Sequence, residues 1–218
     1  MIVVIDYGAG NVRSVTNMLK SLGAEARIAQ NGAALDGATR LILPGVGHFD
    51  HGMRGLTSRG FVDALNDKVL GDRLPTLGIC LGAQLIARGS EEGDCPGLGW
   101  VAADVVAFDK TRLSTDLRVP HMGWAETWAH APALAQGRLP RILADTLGSE
   151  SRFYYVHGFH LLCDDPDAAV LRAHHGYEFA AGVASENVFG FQFHPEKSHA
   201  HGKSILKAFL EWQPCTTS

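Results

Sequence analysis

Short apolar runs rich in β-branched residues alternate with amphipathic helical stretches through the first half of the chain. This alternation limits the possible folds more than any other feature of the sequence. Ile2 to Asp6 is the first such run, and Tyr7-Gly8-Ala9-Gly10 follows it as a turn. Val12, Val15, Met18, Leu19 and Leu22 recur at helical spacing, with Gly23 as the C-cap. Glu25 to Ile28 reads as a second strand, and Leu41-Ile42-Leu43 as a buried strand ended by Pro44-Gly45. A helix is expected over Ser58 to Leu70 with Phe61, Leu65 and Val69 on one face, then a strand over Thr76 to Ile79 and a helix from Leu81 to Arg88. Strands this apolar need cover on both faces, which means a parallel sheet between helical layers.

The second half reads as strands joined by short links: Val101 to Phe108, Arg152 to Cys163, Ala168 to Ala173, Phe179 to Ser185 and Val188 to His194. A last helix, Ser198 to Trp212, turns Ile205, Leu206, Phe209 and Leu210 inward. The expected fold is therefore α/β, a mostly parallel open sheet flanked by helices, with antiparallel additions in the second half. No linker, repeat or charged tail divides the 218 residues, so one domain over 1–218 is expected.

Charge and cysteine usage narrow the function. With 19 Lys and Arg against 23 Asp and Glu the formal charge is −4, and no basic patch offers a footprint for nucleic acid. No run of about 18 apolar residues exists to span a membrane. The N-terminal MIVVIDYGAGN lacks the basic flank of a signal peptide. Cys80, Cys95, Cys163 and Cys215 form no C-x-x-C pair, which fits a reduced, cytoplasmic setting rather than a disulfide framework or zinc ribbon.

The chemistry concentrates in Gly78-Ile79-Cys80-Leu81-Gly82, a cysteine form of the nucleophile elbow set between strand and helix. Such a turn strains the central residue and exposes its sulfur at the carboxyl end of the sheet, where ligands of open α/β folds bind. The competing reading makes Cys80 a small core residue with incidental glycines. A cysteine nucleophile needs a base and an orienter, and Phe191-Gln192-Phe193-His194-Pro195-Glu196 offers both. If Pro195 keeps the chain extended, Glu196 points to the same side as His194 and holds its tautomer. A metal cluster of His194, His199 and His201 is the rival, but the spacing matches no zinc pattern, so no metal and no cofactor is expected. Gly45, Val46 and Gly47 follow a strand end and can present backbone N–H groups to an oxyanion beside Cys80.

These three segments and three more make an ordered set of six over nearly the whole chain: the N-terminal GxGN turn, LPGVGHF, GICLGAQL, VPHMGW, YYVHGFH and FQFHPEKS. Together they resemble the class I (triad) glutamine amidotransferases, and within them the glutaminase subunits that serve imidazole glycerol phosphate synthesis in histidine biosynthesis. The resemblance implies that Cys80 attacks the side-chain amide of L-glutamine to form a thioester, with His194 and Glu196 as its partners. It implies that Gln84, Glu92, Gly158 and Phe159 hold the substrate, and that Asn11, Trp124, Tyr154 and Lys197 lie near a partner interface. It also implies a heterodimer with a (β/α)₈ cyclase that receives ammonia through a shielded channel. Free ammonia protonates in water, so a small glutaminase makes chemical sense only when docked to an acceptor enzyme.

Several positions depart from the pattern of that family. Ala83 stands where Met is common and Ala125 where Asn is, while His157-Gly158-Phe159 replaces a His-Ser/Thr-Tyr step and the segment His174 to Phe179 also differs. These departures leave open a paralogous glutaminase that supplies ammonia for nucleotide-sugar amidation in surface polysaccharide synthesis. A non-catalytic binding subunit would lack a triad member, and all three are present. A cysteine hydrolase or peptidase of related fold would share the elbow but not the H-P-E step or the PGVG loop.

Overall fold

A computed structural model of the chain describes residues 1–148 and 150–214. The first half comprises β1 (Ile2–Ile5), α1 (Val12–Ser21), β2 (Ala26–Ala29), β3 (Arg40–Gly45), α2 (Phe49–Ser58), α3 (Phe61–Asn66), β4 (Thr76–Cys80) and α4 (Leu81–Leu85). The second comprises β5 (Ala103–Ala107), β6 (His121–Ala129), α5 (Ala131–Ala135), α6 (Arg141–Ala144), β7 (Arg152–His157), β8 (Phe159–Cys163), β9 (Leu171–His175), β10 (Tyr177–Ser185), β11 (Val188–Phe191) and α7 (His199–Glu211).

All of the strands belong to an 11-stranded sheet in the order β2-β1-β3-β4-β11-β10-β9-β6-β7, with β5 paired to β8 and β8 to β10. Pairing is parallel from β2 through β11 and antiparallel beyond it. The alternation of side chains along each strand builds two cores. Val3, Ile5, Leu41 and Leu43 pack with Phe49, Leu56, Phe61 and Leu85 on one face. Val4, Ile42, Leu77 and Ile79 pack with Val15, Leu19, Ile205 and Phe209 on the other. Because β1, β3, β4 and β11 run in one direction, the turns that follow Ile5, Gly45, Cys80 and Phe191 gather at one edge of the sheet. That edge holds the site.

The structure corrects the sequence expectations at several places. A helix over Phe49–Ser58 was not expected, and the helix expected over Ser58 to Leu70 begins only at Phe61, because Gly60 takes a left-handed φ of 66°. From Asp67 to Gly71 the chain continues as a π-helical turn. The helix after Cys80 stops at Leu85. There the 98–101 segment doubles back, and the Leu98 and Trp100 N–H groups donate to the Leu85 and Ile86 carbonyls at 2.8 and 2.9 Å. Those carbonyls would have served the next helical turn. The run Arg152 to Cys163 is two strands, since at Gly158 the chain leaves β6 to pair with β5 and β10. The strand expected from Ala168 begins at Leu171, after a 3₁₀ turn over Pro166–Ala168, and β11 stops at Phe191, short of His194. Strand β6 was not expected at all.

Gly23 does close α1. Its φ is +75°, and the Gly23 and Ala24 N–H groups donate to the Lys20 and Leu19 carbonyls, the paired bonds of a Schellman ending.

Candidate active site

Cys80 sits at the junction of β4 and α4 with φ 53° and ψ −109°, outside the regions ordinary residues occupy. The flanking glycines are there for steric reasons. A Cβ on Gly82 would collide with the Leu43 carbonyl, and one on Gly78 would lie 2.6 Å from the Gly82 carbonyl oxygen. The strand therefore turns directly into the helix and presents the sulfur at its tip. The Cys80 Sγ lies 3.9 Å from the Val156 carbonyl, to which the thiol donates, and 3.9 Å from the Gln192 side-chain amide nitrogen.

His194 and Glu196 are almost fully buried, and His194 Nδ1 is 2.7 Å from Glu196 Oε1. The route to this contact differs from the expected one. Pro195–Lys197 forms a 3₁₀ turn rather than extended chain, and the turn itself folds the carboxylate back beneath the imidazole. The backbone of His194 is pinned on both sides. Its N–H donates to the Tyr154 carbonyl at 2.9 Å, and its carbonyl accepts from Ser198 Oγ at 2.6 Å. With Nδ1 donating to the carboxylate, Nε2 is left as the working nitrogen, and it is buried without a hydrogen bond of its own. Burial disfavours charge on His194, yet the Cys80 thiol and the Glu196 carboxylate outweigh it and hold the pKa up at about 9. The sulfur and ring are thus electrostatically linked while poised short of a bond. Such an arrangement can move a proton from thiol to imidazole and return it to a leaving amine.

In front of the sulfur lies a cavity of about 220 Å³ lined by Val46, Gly47, Cys80, Gln84, Glu92, Val156, His157, Gly158 and Phe159 among others. The Glu92 carboxylate is oriented by the Phe49 N–H at the start of α2, which donates to Oε2 at 2.8 Å. It puts negative charge on the wall, the complement of an ammonium group. Gln84 is buried, and its amide nitrogen donates to the Phe159 carbonyl at 3.1 Å and to Gln192 Oε1 at 3.2 Å. Gly45 stands behind Val46 and Gly47, paired with Cys80 in the sheet.

Three of the remaining expected residues, Trp124, Tyr154 and Lys197, cluster on the outer surface. Trp124 is 45% exposed, edge-on to the Tyr154 ring and stacked on His199, while the Lys197 ammonium lies 5.5 Å from the Tyr154 ring centre. Core packing is therefore not the role of Trp124. Asn11 is exposed, and its side-chain oxygen caps α1 by accepting from the Ser14 N–H.

Sequence reasoning missed three contributors to the site. Gln192 is fully buried between Phe191 and Phe193 and bridges Gln84 to the sulfur. A polar residue inside an aromatic run was its signal. Val156 contributes only a carbonyl, which no side-chain pattern reveals. Behind the His157–Phe159 wall, His121, His157, His160 and His175 surround Phe108. His121 Nδ1 lies 3.3 Å from His157 Nε2, and His157 Nδ1 lies 2.7 Å from the Phe159 carbonyl. Among the described residues no group of three or more His, Cys, Asp or Glu side chains is arranged to hold a metal, and His201 packs against Phe153. Cys95 and Cys163 are free thiols, and Cys215 lies outside the described residues. No described helix is long and apolar enough to cross a membrane.

Comparison with known proteins agrees with this geometry. Residues 3–212 match the family described as glutamine amidotransferase class-I. The imidazole glycerol phosphate synthase subunit HisH 2 of Pseudomonas aeruginosa is 46% identical over 97% of this chain and 99% of its own. The HisH subunit of Bdellovibrio bacteriovorus is 42% identical over 97% of this chain and 100% of its own. Among solved structures, PurLQS from Thermotoga maritima superposes with a TM-score of 0.71 at 21% identity, covering 96% of this chain and 97% of that one.

Proposed function

The chain belongs to the class I glutamine amidotransferases, and from that premise we propose that it is the glutaminase subunit of an imidazole glycerol phosphate synthase in histidine biosynthesis. The observation that carries the reading is an elbow cysteine beside a pinned His194–Glu196 pair, opening on a small cavity with a carboxylate on its wall. Full-length relatives carrying that subunit's name support the pathway.

Cys80 Sγ, its proton already resting on His194 Nε2 in the charged form the site favours, attacks the side-chain amide carbon of glutamine. The oxyanion is met by N–H groups of the Gly45-Val46-Gly47 loop. Collapse of the adduct breaks the carbon–nitrogen bond, the imidazolium returns its proton to the leaving nitrogen, and ammonia departs from a γ-glutamyl thioester. Water, deprotonated by the same imidazole, then releases glutamate and restores the sulfur beside a protonated His194. Glu92 takes the substrate α-ammonium, and Gln84, Gly158 and Phe159 complete the binding wall. The ammonia passes to a (β/α)₈ cyclase held as a heterodimer against the surface of Asn11, Trp124, Tyr154 and Lys197, in the cytoplasm. Exposed tryptophan and tyrosine are enriched at the centres of interfaces.

The reading is tested by mixing the purified chain with the histidine-pathway cyclase and its ribotide substrate. Glutamine hydrolysis should rise, and imidazole glycerol phosphate should form from glutamine. With Cys80→Ala the complex should lose glutamine-driven synthesis and keep ammonium-driven synthesis. No stimulation by that cyclase would favour the nucleotide-sugar pathway. Gly158 gives that alternative its footing, because a Cβ there would come no closer than 3.7 Å to Val119, so packing does not explain the missing hydroxyl.

A further inference from the structure

Tyr7 follows β1 and has no part in the chemistry above, yet it is buried beside the oxyanion loop. It is 2% exposed, and its hydroxyl has no hydrogen-bond partner. Buried hydroxyls without partners are destabilising and uncommon, so one at an active site asks for a state in which the partner arrives. The hydroxyl lies directly against Gly45, where an added Cβ would collide with it and would lie 2.7 Å from the Gly82 nitrogen. Gly55 of α2 packs closely on Tyr7, and a Cβ there would lie 3.3 Å from ring atom Cδ2. One end of the loop that runs from Gly45 to the start of α2 is therefore flanked by a buried, unspent donor. Burial, and then the nearby Cys80, push the Tyr7 pKa well above its usual value, so the hydroxyl stays protonated.

We propose that Tyr7 is a positioning residue for the oxyanion loop, its hydroxyl donating to the Gly45 carbonyl when the Gly45–Val46 peptide turns its N–H toward the glutamine amide. A peptide cannot turn one group toward the substrate without turning the other away, and the Tyr7 hydroxyl stands directly beside Gly45. Gly45 allows the rotation because it carries no side chain. The bond forms in the turnover geometry and not at rest, so it lowers the barrier rather than tightening substrate binding. This inference rests on the glutaminase reading.

The test is Tyr7→Phe in the cyclase complex, with glutamine hydrolysis and thermal melting measured beside the unaltered protein. Stimulated kcat should fall about tenfold, short of the roughly 10²–10³ lost with a donor that touches the oxyanion itself, because Tyr7 acts through the loop. KM for glutamine should hold, and the melting midpoint should hold or rise because an unpaired hydroxyl has been removed. An unchanged kcat would overturn the proposal, and so would a fall in kcat accompanied by a lowered midpoint and a raised KM. If the unaltered complex hydrolyses no glutamine, the glutaminase reading fails first and Tyr7 falls with it.

Discussion

His194 and His121 are both buried imidazoles, and the protein holds them in opposite charge states. His194 stands at the parallel edge of the sheet, where Cys80 and Glu196 overcome burial and keep its pKa near 9. His121 stands in the antiparallel wall, where burial, and then the neighbouring His175, push it down to about 4. His157 is driven well below its usual value by burial, and the Phe159 carbonyl only partly offsets this. Charge is retained where a proton must be exchanged and suppressed where a ring only braces the substrate wall. A buried histidine is thus functional or structural according to its partners, and burial alone does not separate the two.

Breaking the first environment has the largest expected effect. His194→Ala should lower stimulated glutamine turnover by about 10²–10⁴-fold, the usual range for loss of a positioned proton shuttle. Glu196→Gln should do less, because the imidazole remains but loses its orienter. It should also shift the alkaline limb of the rate profile to lower pH, since His194 loses one of the two groups that hold its proton. Steady-state kinetics across pH separate the two variants.

The second environment should show in stability rather than rate. A histidine whose folded pKa lies below its unfolded value of 6.5 adds stability that is present above pH 6.5 and is lost as pH falls toward about 4. His194 has the opposite sign. Its contribution is full below pH 6.5 and is lost as pH rises through about 9. Unfolding titrations should therefore show decline on both sides, and His121→Phe should make only the acid limb shallower. Because His121 retains some contact with solvent, that change is set at about 1–2 kcal/mol. A steeper or unaltered acid limb would contradict the assignment.

The same two regions differ in how far the sequence reveals them. The parallel half is legible because its strands are continuous apolar runs punctuated by glycine, and because Gly78 and Gly82 announce the elbow. Helix α2 escaped because Gly52 and Gly55 weaken its helical signal. Both glycines serve tertiary packing, Gly52 against Leu85 and Gly55 against Tyr7, which overrides propensity. Strand β6 escaped for a sharper reason. Its buried positions are His121 and Thr127, while Met122, Trp124 and Trp128 face out, so the alternation is inverted. An inverted strand hides from hydrophobic pattern reading, and here it carries the exposed aromatic surface. The triad was legible from spacing and motif, although its geometry depends on a 3₁₀ turn where extended chain was expected. The histidine wall was not legible, because its members come from four separate strands and gather only in the fold.

The most direct measurement is acid quenching of the cyclase complex during glutamine turnover, followed by peptide mass analysis. A γ-glutamyl adduct should appear on the peptide bearing Cys80 and build up when thioester hydrolysis is slowed. Consumption of glutamine with that peptide unmodified, or with the adduct on Cys95 or Cys163 instead, would contradict the assignment of Cys80 as the nucleophile.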